Sequence, residues 1–251
     1  KTSTTAMLSW ALQEAGFSFS YLVGGLFTDN QLPPGRYEES DWVVMEVDES
    51  DGSIDSFSPE ITIALNCEWD HVDLYDSTEA MGKTFQALFR RTVKTIITPG
   101  NSELAEWARV EKNKELSFFH CNKELSRYEE NNISAVCCAG LSMGINFNEL
   151  SFLKFPGVSR RNSVLYESAS RTVVEDYAHH PTEINAFLSS RRELLPEHAL
   201  QVVFQPHRFS RTLALAKKFA EELSQADDIY LLPTYAAFEK FSVGGSVESL
   251  I

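Results

Sequence analysis

Val174-Glu-Asp-Tyr-Ala-His-His-Pro-Thr182 decides how this chain is read. An apolar run at residues 172–174 leads into Asp176, and two histidines and a proline come directly after. The run reads as a strand whose carboxyl end carries Asp176, Tyr177, His179 and His180, and α/β sheets take their ligands at such ends. Pro181 suits the first turn of a helix through Glu183, Ile184, Phe187 and Leu188. One segment on, the pattern repeats. Gln201–Phe204 reads as a buried strand and Gln205-Pro-His-Arg-Phe-Ser-Arg-Thr212 as its loop. Two adjacent strand ends then carry His179, His180, His207, Arg208 and Arg211, a cationic cluster in an acidic chain. A helix at 212–223 and a strand at 229–232 continue the alternation, which predicts a parallel sheet with crossover helices in a Rossmann-like α/β domain.

Working outward, the whole chain has 251 residues, 43% apolar and 23% charged, enough for two globular domains. Its formal net charge of −14 argues against nucleic acid and anionic membrane as partners, since both need a basic footprint. A local basic pocket for a small anion is compatible with it. Cysteines stand at 67, 121, 137 and 138 with no metal-site spacing, and the adjacent Cys137 and Cys138 read as reduced core thiols. No signal peptide and no spanning apolar run is apparent, so the expected location is the cytoplasm.

The first residues, Lys1-Thr-Ser-Thr-Thr-Ala-Met7, open a helix with Met7, Leu8, Ala11, Leu12 and Ala15 apolar and Gly16 as its stop. In a P-loop the glycine loop leads into Lys-Thr at a helix start, where the lysine reaches phosphates and the hydroxyl binds Mg²⁺. The cradling glycines are then expected before residue 1, and the sequence is read as a piece with its front missing. Residues 41–47 and 61–65 read as buried strands. The first ends in Glu46, Asp48, Glu49 and Asp51, the second in Asn66-Cys-Glu-Trp-Asp-His-Val-Asp73. Carboxylates and a histidine at neighbouring strand ends suit Mg²⁺ that bridges phosphates, and Thr2, Glu46 and His71 are the candidate ligands. The plainer alternative is a helix that happens to begin with Lys-Thr, beside solvated acidic loops.

Further on, residues 77–91 read as an amphipathic helix with Met81, Phe85, Leu88 and Phe89 on one face. A strand at 94–98, a turn at Pro99-Gly-Asn-Ser102, a helix capped by Ser102, a strand at 116–119 and an apolar helix at 131–144 complete the first domain. Phe155-Pro-Gly-Val-Ser-Arg-Arg161 reads as the domain boundary, giving domains at 1–157 and 158–251.

These motifs together resemble the Mur ligases, which add amino acids to the UDP-muramic acid precursor of peptidoglycan. Lys1 to Thr5, Glu46 to Asp51 and Asn66 to Asp73 resemble the central ATP domain of that family. Glu175 to Glu183, Val203 to Thr212 and Thr234-Tyr-Ala-Ala-Phe-Glu239 resemble its C-terminal domain, and the His-His-Pro-Thr-Glu and Gln-Pro-His-Arg pair points to the branch that adds L-alanine. The resemblance implies a P-loop-type central domain with a mostly parallel sheet, then the Rossmann-like domain. It implies a ligase using ATP and Mg²⁺ that joins L-alanine to UDP-N-acetylmuramic acid through an acyl phosphate. By the same resemblance Lys1, Thr2 and Ser3 meet the nucleotide phosphates, Asn132 the adenine, Asp176 the ribose, and Arg161 the phosphates or the UDP-substrate. His179, His207, Arg208 and Arg211 serve the amino acid and the developing oxyanion. Phe238 stands where the family has glycine, and phenylalanine does not take a glycine backbone cheaply, so that loop is expected to differ. Two other readings stay open: a ligase that reattaches recycled tripeptide, and a non-catalytic binding module of the same descent.

Overall fold

The computed structural model describes residues 1–29, 32–69, 74–120 and 128–250, with residues 128 and 129 as backbone only. Two compact units are formed. The first is built from residues 1–67, 79–120 and 128–176, the second from residues 68–69, 74–78 and 177–250.

The first unit is centred on α1 (Thr2–Glu14), whose buried residues include Met7, Leu8, Trp10, Ala11 and Leu12. Apolar residues around so much of its circumference make it a central helix rather than a surface one. It stops as expected at Gly16, whose φ of 69° lets Gly16 N–H reach Gln13 O (2.9 Å) and Phe17 N–H reach Leu12 O (3.0 Å). Strands β1 (Ser20–Leu22), β2 (Gly35–Arg36) and β3 (Val43–Met45) form one sheet in the order β2-β1-β3, with β1 parallel to β3. Then β4 (Ile61–Ile63), α2 (Thr78–Arg91), β5 (Thr95–Pro99), α3 (Glu103–Ala108) and β6 (Glu115–Phe119) build a second sheet, β4-β5-β6, parallel throughout. The predicted stripe on α2 is the buried one: Met81, Phe85 and Phe89. Ser102 caps α3 by accepting Ala105 N–H at 3.2 Å. Helix α4 (Tyr128–Ser142) starts three residues earlier than its apolar pattern predicts and packs on α1. Phe19, Phe27, Ile97, Phe119 and Val136 close the core between these elements.

Two expectations change. The pattern of residues 41–47 predicts a buried strand, yet Val43 is 59% exposed and Met45 37%, because β3 is the last strand of its sheet. Strands β7 (Ser163–Glu167) and β8 (Thr172–Glu175) form an antiparallel hairpin, with a bulge between Val164 and Tyr166. Residues 168–171 are too few for the crossover that a parallel neighbour requires. The Pro-Gly segment at 155–161 is bonded to the first unit: Thr28 N–H donates to Gly157 O (3.2 Å), Ser159 N–H donates to Leu26 O (2.8 Å), and Phe27 pairs with Val158. The chain passes from the first compact unit to the second between Asp176 and Tyr177.

The second unit contains α5 (Pro181–Leu194), β9 (Gln201–Phe204), α6 (Phe209–Leu223) and β10 (Asp228–Leu231), with β9 and β10 parallel. Ile184, Leu188, Phe204, Leu215, Phe219 and Leu223 form its core, and each such burial stabilises by about 1.5–3 kcal/mol. The apolar run of β9 predicts burial throughout, but Val203 is 67% exposed while Phe204 is buried, so only one face is covered. Among the described residues no helix is long and apolar enough to cross a membrane. Burial first, then the charges of Glu149 and Cys138, pushes the Cys137 thiol up to about 11, as suits a reduced structural cysteine.

Candidate functional site

In the first unit the candidate residues meet at the amino end of α1. The side chain of Lys1, the residue before the helix, does not cap this end, and no acid stands in its first turn. The leading N–H groups of Thr2, Ser3 and Thr4 lie in the helix turn where intrahelical partners run out, a natural seat for an anion. Thr2 Oγ1 donates to Glu46 Oε1 at 3.0 Å, and Gly24 N–H donates to Glu46 Oε2 at 3.1 Å. The carboxylate at the end of β3 is thus aimed by β1 and α1 together. A Cβ at position 24 would stand 2.7 Å from Glu46 Oε1, so only glycine leaves the carboxylate there.

Lys1 Nζ lies 2.8 Å from Glu49 Oε2 and 3.2 Å from Asp48 Oδ2. Burial pulls the ammonium down, but the attraction and hydrogen bonds of Glu49 and Asp48 together outweigh it and raise its pKa. Burial likewise raises Asp48, and hydrogen bonds from Ser50 and the charge of Lys1 overcome it, holding the carboxyl down to about 2. The sequence placed Asp48 and Glu49 in an acidic cluster without giving them the lysine; the Ser50 N–H bond to Asp48 Oδ1 (2.8 Å) shows the turn that brings them round. His71 lies outside the described residues. Among the described residues no group of three or more His, Cys, Asp and Glu is placed to hold a metal. The Thr2 hydroxyl and Glu46 carboxylate are two hard oxygen donors side by side. They fit Mg²⁺, which usually takes one or two carboxylates and completes its shell with waters and phosphate oxygens.

Asn132 does not sit at a helix end. It lies in the second turn of α4, and its Oδ1 accepts from Thr4 Oγ1 at 2.7 Å, joining α4 to α1. Asp176 Oδ2 accepts Asn162 N–H at 2.8 Å, and Arg161 N–H donates to Val158 O at 3.0 Å. Arg160 and Asn162, on either side of Arg161, have φ of 62° and 51°, a tight left-handed kink that sets the direction of the arginine pair.

The second unit gathers the other candidates. The rings of Tyr177, His179, His207 and Tyr235 follow one another at centroid spacings of 5.4, 6.0 and 5.3 Å. Arg211, only 4% exposed, points Nη1 at His207 Nδ1 (3.5 Å) and His207 O (3.4 Å). A guanidinium only donates, so Nδ1 accepts and neutral His207 carries its proton on Nε2. Burial, then Arg211, His179 and Arg208, lowers the His207 pKa against the opposing charge of Glu239. Arg208 holds φ 72° as the residue before α6, its N–H bonded to Tyr235 O at 2.8 Å. Its own side chain does not cap α6. Glu239 does: Oε2 accepts Ser210 N–H (3.0 Å), Oε1 accepts Ser210 Oγ (2.6 Å), and Arg208 Nε stands 4.0 Å away. Sequence reasoning missed Glu239 as a site residue, although it closes the Tyr-Ala-Ala-Phe-Glu motif. His180, by contrast, is structural: it precedes Pro181 as the cap of α5, its Nδ1 accepting Thr182 N–H at 3.4 Å. Glu183 Oε2 completes the cap by accepting the N–H groups of His179 (2.9 Å) and His180 (3.2 Å).

The loop at Phe238 places two non-glycine residues in the left-handed region. Ala237 and Phe238 have φ of 46° and 70°, and the Phe238 ring is fully exposed. Two adjacent non-glycine residues in the left-handed region carry backbone strain.

An α/β unit with a Lys-Thr helix start facing a strand-end carboxylate, followed by a unit with a histidine–arginine cluster, defines a class. Residues 1–149 match the Mur ligase middle domain and residues 160–242 the Mur ligase glutamate ligase domain, and the chain belongs to the Mur ligase family. Within that family it is similar to the UDP-N-acetylmuramate–L-alanine ligase of Endomicrobium trichonymphae, at 32% identity over 96% of this chain and 61% of the relative. Among solved structures, the UDP-N-acetylmuramate–alanine ligase of Thermotoga maritima superposes with a TM-score of 0.72 at 25% identity, over 98% of this chain and 60% of that one. The MurF ligase of Thermotoga maritima, in complex with ADP, shares the fold at a TM-score of 0.70 and 16% identity, over 92% of this chain and 64% of that one. The chain thus spans about three-fifths of the length of the curated relatives it matches.

Proposed function

We propose that this chain carries the ATP-handling and amino-acid-handling parts of a cytoplasmic ligase that joins L-alanine to UDP-N-acetylmuramic acid. The observation that carries the reading is the pairing of Thr2 Oγ1 with Glu46 at the amino end of α1, in a chain 32% identical to alanine-adding ligases over nearly its whole length.

In this proposal residues 1–157 make most of the nucleotide contacts, and residues 158–251 take the incoming amino acid and add Arg161 and Asp176 to the nucleotide. Lys1 neutralises the phosphoryl group in transfer, and Thr2 and Ser3 offer their N–H groups to phosphate. Thr2 and Glu46 hold Mg²⁺, with His71 as a third donor. Asn132 contacts the adenine, Asp176 the ribose and Arg161 the phosphates. ATP, when bound, supplies the phosphoryl group that activates the muramyl carboxylate toward the amine of alanine. Arg208, Arg211 and His179 present positive charge and N–H donors to the amino-acid carboxylate and to the oxyanion that develops during attack. His207, neutral and with its proton on Nε2, donates there without adding a further charge.

The test is phosphate release from ATP and Mg²⁺ with UDP-N-acetylmuramic acid, with and without L-alanine, and the product mass read in parallel. Alanine-dependent release with the muramoyl-alanine mass supports the proposal. Release that responds to the L-alanyl-γ-D-glutamyl-diaminopimelate tripeptide instead moves the reading to the recycling ligase. ATP binding without turnover on either amine abandons catalysis for a binding module.

A further inference from the structure

Thr4 and Thr5 are neighbours near the amino end of α1 and use their hydroxyls differently. Thr5 Oγ1 donates back to Lys1 O at 3.2 Å, the ordinary bond of a threonine in a helix. Thr4 Oγ1 instead crosses to the helix packed alongside and meets Asn132 Oδ1 at 2.7 Å. Thr4 is 4% exposed and Asn132 half-buried, so little water reaches this bond.

The direction of the bond fixes the asparagine. A buried hydroxyl has one proton to place, and it needs an acceptor for it. Among the described residues, Asn132 Oδ1 is the acceptor bonded to Thr4 Oγ1. The separation agrees: 2.7 Å suits O–H···O, whereas N–H···O is usually about 2.9–3.0 Å. Oδ1 therefore faces α1. The other arm of the carboxamide, Nδ2 with its two N–H donors, is turned away from the threonine. The γ-methyl of Thr4 strengthens the arrangement, because a β-branched side chain has few χ1 settings in a helix.

We propose that Thr4 is a positioning residue for base recognition, holding the Asn132 carboxamide so that Nδ2 donates to N7 of adenine. This rests on the reading of Asn132 as the adenine contact. Asparagine meets adenine along the N6 and N7 edge, and N7 can only accept. A carboxamide turned by half a circle would set its oxygen against N7 and lose the bond. Thr4 removes that second orientation before the nucleotide arrives, so no binding energy goes into choosing it. One end of α1 then serves both ends of the nucleotide. Its leading N–H groups seat the phosphates, and the Thr4 hydroxyl, through Asn132, sets the base.

The test compares the binding of ATP and of 7-deaza-ATP, in which C–H replaces N7, to residues 1–251 with Mg²⁺. The unaltered chain is expected to prefer ATP by about fivefold. Thr4→Val keeps the backbone N–H and nearly the same shape but has no hydroxyl. It and Asn132→Ala are each expected to erase the preference, by weakening ATP and not 7-deaza-ATP. Thr4→Ser, which keeps the hydroxyl, is expected to restore it. Equal weakening of both nucleotides by Thr4→Val overturns the proposal, because a contact that only supports the helix pair does not tell N7 from C–H. A preference kept in Thr4→Val and lost in Asn132→Ala also overturns it, and leaves the adenine reading standing. No preference in the unaltered chain, or no nucleotide bound at all, overturns the proposal and the adenine reading together.

Discussion

Phe238 carries a backbone conformation that a phenylalanine occupies only at a cost, with φ 70° and its ring in solvent. A left-handed residue costs about 1–2 kcal/mol, and the ring recovers none of it by burial. Phe238→Gly should therefore stabilise the chain by about 0.5–1 kcal/mol after the larger unfolded-state entropy of glycine is subtracted. Urea unfolding measures this, and a loss of stability would show that the ring has a partner in solution. His207 makes a second prediction at this scale. Its folded pKa lies below the ordinary 6.5, so above pH 6.5 it is neutral in both states and contributes no slope. As pH falls below 6.5 the unfolded chain takes up a proton that the folded chain resists, and stability drops until the folded pKa is passed. His207→Gln should flatten that part of the stability–pH curve below pH 6.5. An unchanged slope would assign the effect to another group.

Among elements, α6 depends for its cap on a residue far along the chain. Glu239 accepts both the N–H and the hydroxyl of Ser210, and Arg208 offers no side-chain cap of its own. Glu239→Ala should cost about 1–2 kcal/mol and speed exchange in the first turn of α6, leaving α5 as it was. Equal loss of protection in α5, whose cap is made by His180 and Glu183, would mean that the whole unit had loosened. The elements also show what could be read from residues alone. Strand β9 begins and ends where its apolar run does, and Pro181 marks the first residue of α5. Gly16 ends α1 by a mechanism that the residue itself announces. The hairpin of β7 and β8 was legible too, in a connection too short for a crossover, but the alternation of strands and helices further on suggested a parallel neighbour. Glu239 was not legible as a cap, because a cap across 29 residues leaves no local spacing to find. The exposure of β3 was hidden for a similar reason: its residues record what the strand suits, while its neighbours decide what it meets.

At the scale of the molecule, a net charge of −14 is carried by a chain whose histidine–arginine cluster in the second unit is locally cationic. Like charges spread over the surface repel one another and weaken the compact state. Raising NaCl from about 0.05 to about 0.5 M shortens the screening length from roughly 14 to 4 Å and should raise Tm by a few degrees. A fall would mean that ion pairs such as Lys1 with Asp48 and Glu49 outweigh the general repulsion.

Gly24 acts on Glu46 by leaving room for it. A methyl group there meets only the far end of the Glu46 side chain, which can swing away at little expense to the fold. Gly24→Ala should thus leave the melting temperature nearly unchanged and weaken Mg²⁺-dependent ATP binding by about tenfold, an effect worth about 1.4 kcal/mol. In a saturation-mutagenesis screen, position 24 would score as intolerant as a ligand-binding residue without touching any ligand. Ranking positions by proximity to substrate would pass over it, whereas ranking them by which carboxylate they keep in place would not.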